Sequence, residues 1–265
     1  MTAADDRKPG GTAFQDTRWS VVIRARDGDP HRAGAALAEL CQAYWYPLYV
    51  FVRRRGSRHH EAEDMTQGFF CHLIERHGLA HVDPGKGRFR SFLLSSLAHY
   101  LSNERDRAQA LKRGGGQPPL PLDCAGGDDR YRREPVDDVT PEVAYERAWA
   151  LTLLDDTMKR LRQEYVARGK EAIFSALQTH LGGSGSDESY ADVAGALGVS
   201  EGNLKVLVHR LRRRFGEVLR ERVADTVQAE TEIDEEIRHL MSCFSRPAPL
   251  SRLSDGSGPG LHGSA

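Results

Sequence analysis

Apolar residues recur along this chain at helical spacing, and the alternation of apolar and polar residues typical of strands is scarce. The clearest periodic segment is YADVAGALGVSEGNLKVLVHRLRRRF, over residues 190–215. In it, a short apolar face is followed by Gly198 and Ser200, which suit a tight turn and a helix N-cap. One apolar stripe then follows: Leu204, Leu207, Val208, Leu211 and Phe215. The pattern predicts a helix-turn-helix whose second helix carries basic residues on its remaining surface.

The rest of the pattern separates two helical modules from polar segments. Helices of the first module are predicted from Pro30 towards Pro47, and over about 49–54, 59–76 and 90–111. We therefore expect an all-α protein of two small helical domains joined by a flexible linker. The predicted order is a disordered lead 1–16, a helical domain 17–113, a Gly/Pro/Asp-rich linker 114–140, a helix-turn-helix domain 141–222, an acidic amphipathic C-terminal helix 223–245 and a disordered tail 246–265.

Composition adds a charge pattern to this picture. Hydrophobic residues make up 39% and charged residues 28%, which fits small helical domains with a large surface. The formal net charge of −1 conceals blocks of opposite sign. Residues 41–115 and 200–215 are basic, whereas 116–146 and 223–243 are acidic. Two basic modules with acidic segments after each favour a polyanionic partner.

The cysteines and the hydropathy predict a cytoplasmic protein without a metal or cofactor. Cys41, Cys71, Cys124 and Cys243 are scattered, with no C-x-x-C and no zinc-finger spacing. No apolar run approaches the roughly 20 residues that span a bilayer, so no membrane partner is expected. The first residues, MTAADDRKPGG, lack the hydrophobic core of a signal peptide.

Two motifs in the first module carry candidate chemistry. AEDMTQGFF (62–70) places polar side chains on one helix face and apolar ones on the other, which by itself is typical of a solvated bundle helix. GKGRFRSFLLSSLAHYLSNERDRAQALKR (85–113) interleaves aromatic and basic residues, a combination that suits unstacked bases and phosphates. Phe92, Leu93 and Leu97 are better assigned to the core. Arg88, Arg90 and the basic cluster from Arg105 to Arg113 are better assigned to phosphate contact.

Together these segments resemble the extracytoplasmic-function sigma factors of bacterial RNA polymerase. AEDMTQGFF and the run 85–113 resemble region 2 of that family, and 190–215 resembles region 4. The family's G-x-S-x-G-x-x-K core is present as Gly198, Ser200, Gly202 and Lys205. The resemblance covers about 31–113 and 141–222, in the family's order and with a linker between them.

The resemblance implies a protein that is not an enzyme and needs no cofactor. Its partners would be core RNA polymerase, through the β′ clamp and the β flap, and promoter DNA. The implied contacts with the β′ clamp are Asp64 and Gln67. The residues implied near −10 DNA are Arg88, Arg90, Asn103, Arg107 and Lys112. The residues implied at the −35 element are Ser200, Asn203, Lys205, Val206, His209, Arg210 and, on a phosphate, Arg213.

This chain departs from the family pattern at several positions. Gly68 stands where an acidic residue usually follows the glutamine, and Phe92 where Trp or Tyr is common. Val206 and Leu207 replace a frequent Ser-Arg pair after Lys205, so the −35 sequence that is read must differ. A valine at this position suits contact with a thymine methyl group.

Other interpretations remain open at the level of sequence. A stand-alone helix-turn-helix regulator would use the first module for sensing or dimerisation and would bind paired half-sites. A metal-dependent hydrolase has weak support from one group of ligand-type residues without a second cluster: His59, His60, Glu61, Glu63, Asp64 and His72. The acidic C-terminal helix, with 234–236 at its start, either docks on a basic module as an inhibitor or packs on the second module. An anti-sigma protein is another possible inhibitor.

Overall fold

The computed structural model describes residues 30–75, 87–110, 130–131, 139–182, 189–227 and 229–245. Every regular element within these ranges is helical, which confirms the all-α prediction. The α-helices are α1 Pro30–Arg54, α2 His59–Glu75, α3 Phe89–Ala110, α4 Pro141–Ala167, α5 Glu171–Leu177, α6 Tyr190–Ala196, α7 Glu201–Ala224 and α8 Ile233–Ser245. Short 3-10 turns occupy Gln178–His180 and Glu230–Glu232. The predicted lead, most of the linker, the tail and Lys112 lie outside the described residues.

Hydroxyl side chains begin three of these helices. Before α4, Thr140 Oγ1 accepts a hydrogen bond from the Val143 N–H at 3.3 Å, and Pro141 occupies the first helical position. The same contact begins α6 and α7, from Asp192 N–H to Ser189 Oγ (3.2 Å) and from Asn203 N–H to Ser200 Oγ (3.3 Å). The start of the second helical domain, predicted at residue 141, is therefore also the start of a helix.

Helix α1 differs from the sequence prediction because it continues through Pro47 to Arg54. An internal proline costs a helix about 3 kcal/mol through a lost donor and a steric clash. Here the residues on both sides of Pro47 are buried, and Trp45 stacks on Tyr49 with ring centroids 5.0 Å apart. Each fully buried large apolar side chain stabilises the fold by about 1.5–3 kcal/mol, so the packing outweighs the break.

The larger of two buried clusters forms where α1 packs along the first half of α4. Tyr44, Tyr49 and Phe51 of α1 meet Tyr145 and Trp149 of α4, and each of these five side chains is at most 2% exposed. Helices α2 and α3, the last turns of α7, and α8 complete this cluster. The sequence analysis assigned the whole of α4 to the second domain, but the first half of this helix is buried against α1 of the first domain.

The second cluster holds the helix-turn-helix together. It combines Leu161 of α4 and Phe174 of α5 with Val193 of α6 and with Leu204 and Val208 of α7. Because α4 and α7 contribute residues to both clusters, these two long helices connect the two halves of the described structure.

The turn before α7 offers a direct test of the fold. Gly198 has φ of +65°, and a Cβ built there meets no atom within 4 Å, so backbone strain alone should oppose a side chain. We expect Gly198→Ala to lower the free energy of unfolding by about 1–2 kcal/mol. Gly216 has equally open surroundings inside α7, and Gly216→Ala should raise that free energy by about 0.5–1 kcal/mol. Urea denaturation measures both, and the same sign for the two variants would contradict the assigned turn.

Candidate nucleic-acid interface

The turn between α6 and α7 fixes the direction of α7. Gly198 takes the left-handed conformation, and the Val199 N–H donates to the Ala194 carbonyl at 3.0 Å, which satisfies an acceptor at the end of α6. Ser200 then caps α7 through the Asn203 N–H. The helix-turn-helix predicted over 190–215 is therefore present in the fold.

The two faces of α7 are sharply different. Leu204, Val208 and Leu211 are at most 3% exposed and pack into the second cluster. The opposite face is exposed and holds the predicted −35 residues: Asn203, Lys205, Val206, His209, Arg210 and Arg213. Val206 is 46% exposed, a large apolar side chain left in solvent. Ser200 is also exposed, but its oxygen is already engaged as the helix cap.

The three consecutive arginines of α7 have different roles. Arg212 donates to the His180 carbonyl at 2.8 and 3.1 Å and so anchors the preceding loop. Arg214 donates twice to Glu164 of α4, at 2.7 and 2.9 Å, and this bonding lowers the pKa of the Glu164 carboxyl. Arg213 pairs with Glu217 at 3.0 Å, yet its side chain is 77% exposed. The exposure of Arg213 leaves it accessible to an external partner, and its phosphate contact stays a prediction.

Two basic residues beside this face were missed by the sequence analysis. Arg168 and Lys170 flank Gly169, whose φ of +66° turns the chain after α4. Together with Arg210 and Arg214 they line a cavity of about 220 Å³. The R-G-K order at the end of a helix was the available signal, but only the folded chain brings it next to Arg210.

The predicted polymerase contacts lie on the outer side of α2. Asp64 is exposed and Gln67 half-buried, whereas Phe69 and Phe70 on the same helix are each 1% exposed. Asp64 also borders a cleft of about 310 Å³ that is lined by α2, α3 and the end of α1. The amphipathic character expected for AEDMTQGFF is thus realised, with both predicted contact residues reachable from outside.

The glycine that departs from the family pattern has a structural reason. A Cβ at Gly68 would lie 2.6 Å from the Tyr100 hydroxyl oxygen on α3, closer than any real contact allows. The ring of Tyr100 is held between Phe69 and His72, with centroids 5.9 and 5.4 Å away. Burial raises the pKa of the Tyr100 phenol to about 12, so it is neutral at physiological pH. An acidic side chain in place of Gly68 would displace this tyrosine.

The structure divides the predicted −10 residues into two groups along α3. Asn103 and Arg107 are exposed near its C-terminal end, where Arg107 donates to Glu104 at 2.8 Å. Arg88 and Arg90 lie at the other end of the helix. Thirteen residues separate Arg90 from Asn103, a distance of about 20 Å at 1.5 Å per residue.

Arg90 is not on the surface where the sequence analysis placed it. Its side chain is 5% exposed, and its Nε donates to Glu146 Oε2 at 3.0 Å. The guanidinium carbon lies 4.4 Å from the centroid of the Trp149 ring, and a second nitrogen binds the buried carboxylate of Glu236. Arg88 is 25% exposed and pairs with Glu235 and Glu236. Both guanidinium groups therefore form ion pairs with acidic residues from distant segments of the chain.

Among the described residues, two side-chain groups have metal-ligand composition. His59, His60 and Glu63 lie on one turn of α2, with His59 and His60 nitrogens 3.4 and 3.7 Å from Glu63. This group contains only three of the six ligand-type residues on which the hydrolase interpretation depends. Glu146, His239 and Cys243 form the other group, in which Glu146 Oε2 already accepts from Arg90 and lies 3.0 Å from His239 Nε2. Side-chain contacts within the protein account for both arrangements.

No protein-family model, curated protein or solved structure matches this chain. Among the described helices, none is long and apolar enough to cross a lipid bilayer.

The Gly68–Tyr100 contact predicts a coupling between the two positions. In a Tyr100→Phe background the clashing oxygen is gone, and Gly68→Ala should stabilise the helix by about 0.5–1 kcal/mol. With Tyr100 present, the same change must displace the ring, and we expect that gain to disappear or reverse. The double-mutant cycle, read by urea denaturation, should show a coupling of about 1 kcal/mol. Equal effects of Gly68→Ala in both backgrounds would contradict the contact.

Proposed function

We propose that this protein is a sigma factor of the extracytoplasmic-function type. It binds bacterial core RNA polymerase and directs it to promoters, reading the −35 element with α7 and assisting the melting of the −10 element with its N-terminal module. The observation that carries the proposal is the exposed polar and basic face of α7, which directly follows the Gly198–Ser200 turn.

The chemistry of that face suits the major groove. A recognition helix presents the side chains of its N-terminal half to base edges, and phosphates on either side are held by cations. Asn203 and Arg210 can form hydrogen bonds with base edges, and Val206 offers an apolar contact to a thymine methyl. Arg168, Lys170 and Arg213 are cations beside this face and would supply the phosphate contacts that position the helix.

The N-terminal module supports the polymerase part of the proposal. Asp64 and Gln67 share the outer side of α2, which leaves a polar surface for a partner protein. A protein that binds polymerase in this way supplies no reaction of its own, so we propose no enzymatic activity.

A stand-alone DNA-binding regulator is the second candidate, favoured by one observation. Helix α1 packs extensively on α4, so the N-terminal helices and the helix-turn-helix are joined as in a protein with a sensing or dimerising bundle. Such a regulator would be a dimer on paired half-sites and would not need polymerase for specificity.

Capture of purified core RNA polymerase tests the proposed function. The wild-type protein should bind core polymerase stoichiometrically, and Asp64→Lys and Gln67→Ala should weaken that binding by removing contacts with the β′ clamp. Glu230→Lys makes the same charge reversal as Asp64→Lys at an exposed position on another segment and should bind normally.

Absence of capture by the wild-type protein, together with a dimeric mass in solution, would favour the regulator instead. Equal capture by the wild type and both α2 variants would keep the sigma assignment and refute the two contact residues.

The DNA-binding face is tested by the salt dependence of duplex binding. Arg168→Ala and Lys170→Ala should each weaken binding of the polymerase-bound protein to labelled random-sequence duplex. Loss of one phosphate contact should reduce the slope of log K against log[salt] by about one. Arg220→Ala removes the same charge further along α7, where Arg220 pairs with Asp234 at 2.6 Å, and should leave the slope unchanged. Equal slopes for all variants would exclude this face.

A further inference from the structure

The carboxylate of Glu236 lies inside the protein between two guanidinium groups. Its side chain is 0% exposed, one oxygen is bound by Arg90, and the other pairs with Arg88. The adjacent Glu235 reaches Arg88 at 3.3 Å from the surface. Burial and the nearby charge of Arg90 lower the pKa of Arg88, as expected for two cations that need an anion between them.

A second carboxylate completes this arrangement from α4. Glu146 accepts from Arg90 Nε at 3.0 Å and lies at the same distance from His239 of α8. Helix α8 is also fixed by apolar contacts, with Leu240 at 0% and Ile233 at 7% exposed. The acidic C-terminal helix therefore joins α3 to α4 through buried charge as well as through apolar packing.

The contacts of Glu236 are those that a phosphate would make. A phosphate and a carboxylate both present a pair of anionic oxygens to a guanidinium, with similar geometry. Arg88 and Arg90 are residues that the proposed function assigns to −10 DNA. In this structure, DNA cannot reach the buried Arg90 without displacing α8.

The spacing of the −10 and −35 elements also indicates that this closed arrangement has to open before DNA is bound. The −10 and −35 elements are about 25 base pairs apart by position, or about 85 Å at 3.4 Å per base pair. Helix α4 has 27 residues and is about 40 Å long, yet it contacts Arg90 with its first half and packs against α7 with its second. The two DNA-binding surfaces must separate before they can engage both elements.

We propose that Glu236 occupies the phosphate site of Arg88 and Arg90, and that α8 thereby keeps the protein in a closed conformation that excludes DNA from this end of α3. This inference rests on the proposed function for the identity of the competing ligand. Binding of single-stranded DNA by Arg88 and Arg90 and docking of α8 are then mutually exclusive.

Single-stranded oligo-dT, which offers phosphates without a promoter sequence, provides the probe. Full-length Glu236→Gln should bind it at least about fivefold more tightly than wild type, since the docking of α8 is weakened. Two released arginines should also steepen the slope of log K against log[salt] by about 1.4. Glu230→Gln removes one negative charge from an exposed site and is the matched control, with affinity close to wild type.

Hydrogen exchange of the wild-type protein gives a second readout that needs no variant. Saturating oligo-dT should accelerate amide exchange over 233–245 relative to the free protein. Unchanged exchange in α8 while DNA is bound would overturn the inference, even if Glu236→Gln fails to fold. Equal oligo-dT affinities of folded Glu236→Gln, Glu230→Gln and wild type would also overturn it.

Polymerase capture with the same preparations separates this inference from the proposed function. Capture of polymerase without any effect of Glu236→Gln would refute the closed conformation and retain the sigma assignment. Tighter DNA binding by Glu236→Gln without polymerase capture would support the competition by α8 and refute the sigma assignment.

Discussion

The buried ion pairs of Glu236 with Arg88 and Arg90 are the interaction on which the relative placement of the remote segments depends. Charges inside a protein are costly unless they are paired, and removing one partner leaves the other uncompensated. Arg90 satisfies this requirement with Glu236 of α8 and Glu146 of α4, and its guanidinium also covers Trp149. These directional contacts select one position for α8, which apolar packing alone would specify less strictly.

Helical periodicity and capping residues were enough to predict most of the local structure. Ser200 begins α7 as predicted, because its hydroxyl accepts from a backbone donor nearby in sequence, and Thr140 and Ser189 begin helices in the same way. Pro47 shows the limit of such local rules, since its effect is overridden by the burial of the aromatic residues around it. That burial depends on α4, almost a hundred residues further along the chain, and no local pattern reports it.

The candidate site was predictable to a similar extent. The exposed positions of α7 follow from its apolar stripe, because residues off the stripe must face away from the second cluster. The burial of Arg90 could not be foreseen, since alternating aromatic and basic residues look alike whether an arginine meets phosphate or a distant carboxylate. The sequence analysis missed Arg168 and Lys170 for a related reason. They lie next to Arg210 only because α4 packs against α7.

The position of the carboxylates around α7 explains how a protein with almost no net charge can have a locally positive surface. Glu217 and Glu221 of α7 and Glu164 of α4 bind Arg214, and Asp234 of α8 binds Arg220, so acidic partners concentrate beside the C-terminal half of α7. Lys205 and Arg210 in the N-terminal half stay exposed. Because the field of a charge is screened over about 8 Å in physiological salt, an approaching polyanion responds to this local excess rather than to the net charge. Under the proposed function, this polarity of α7 would direct DNA towards the end of the helix that follows the turn, where base edges would be read.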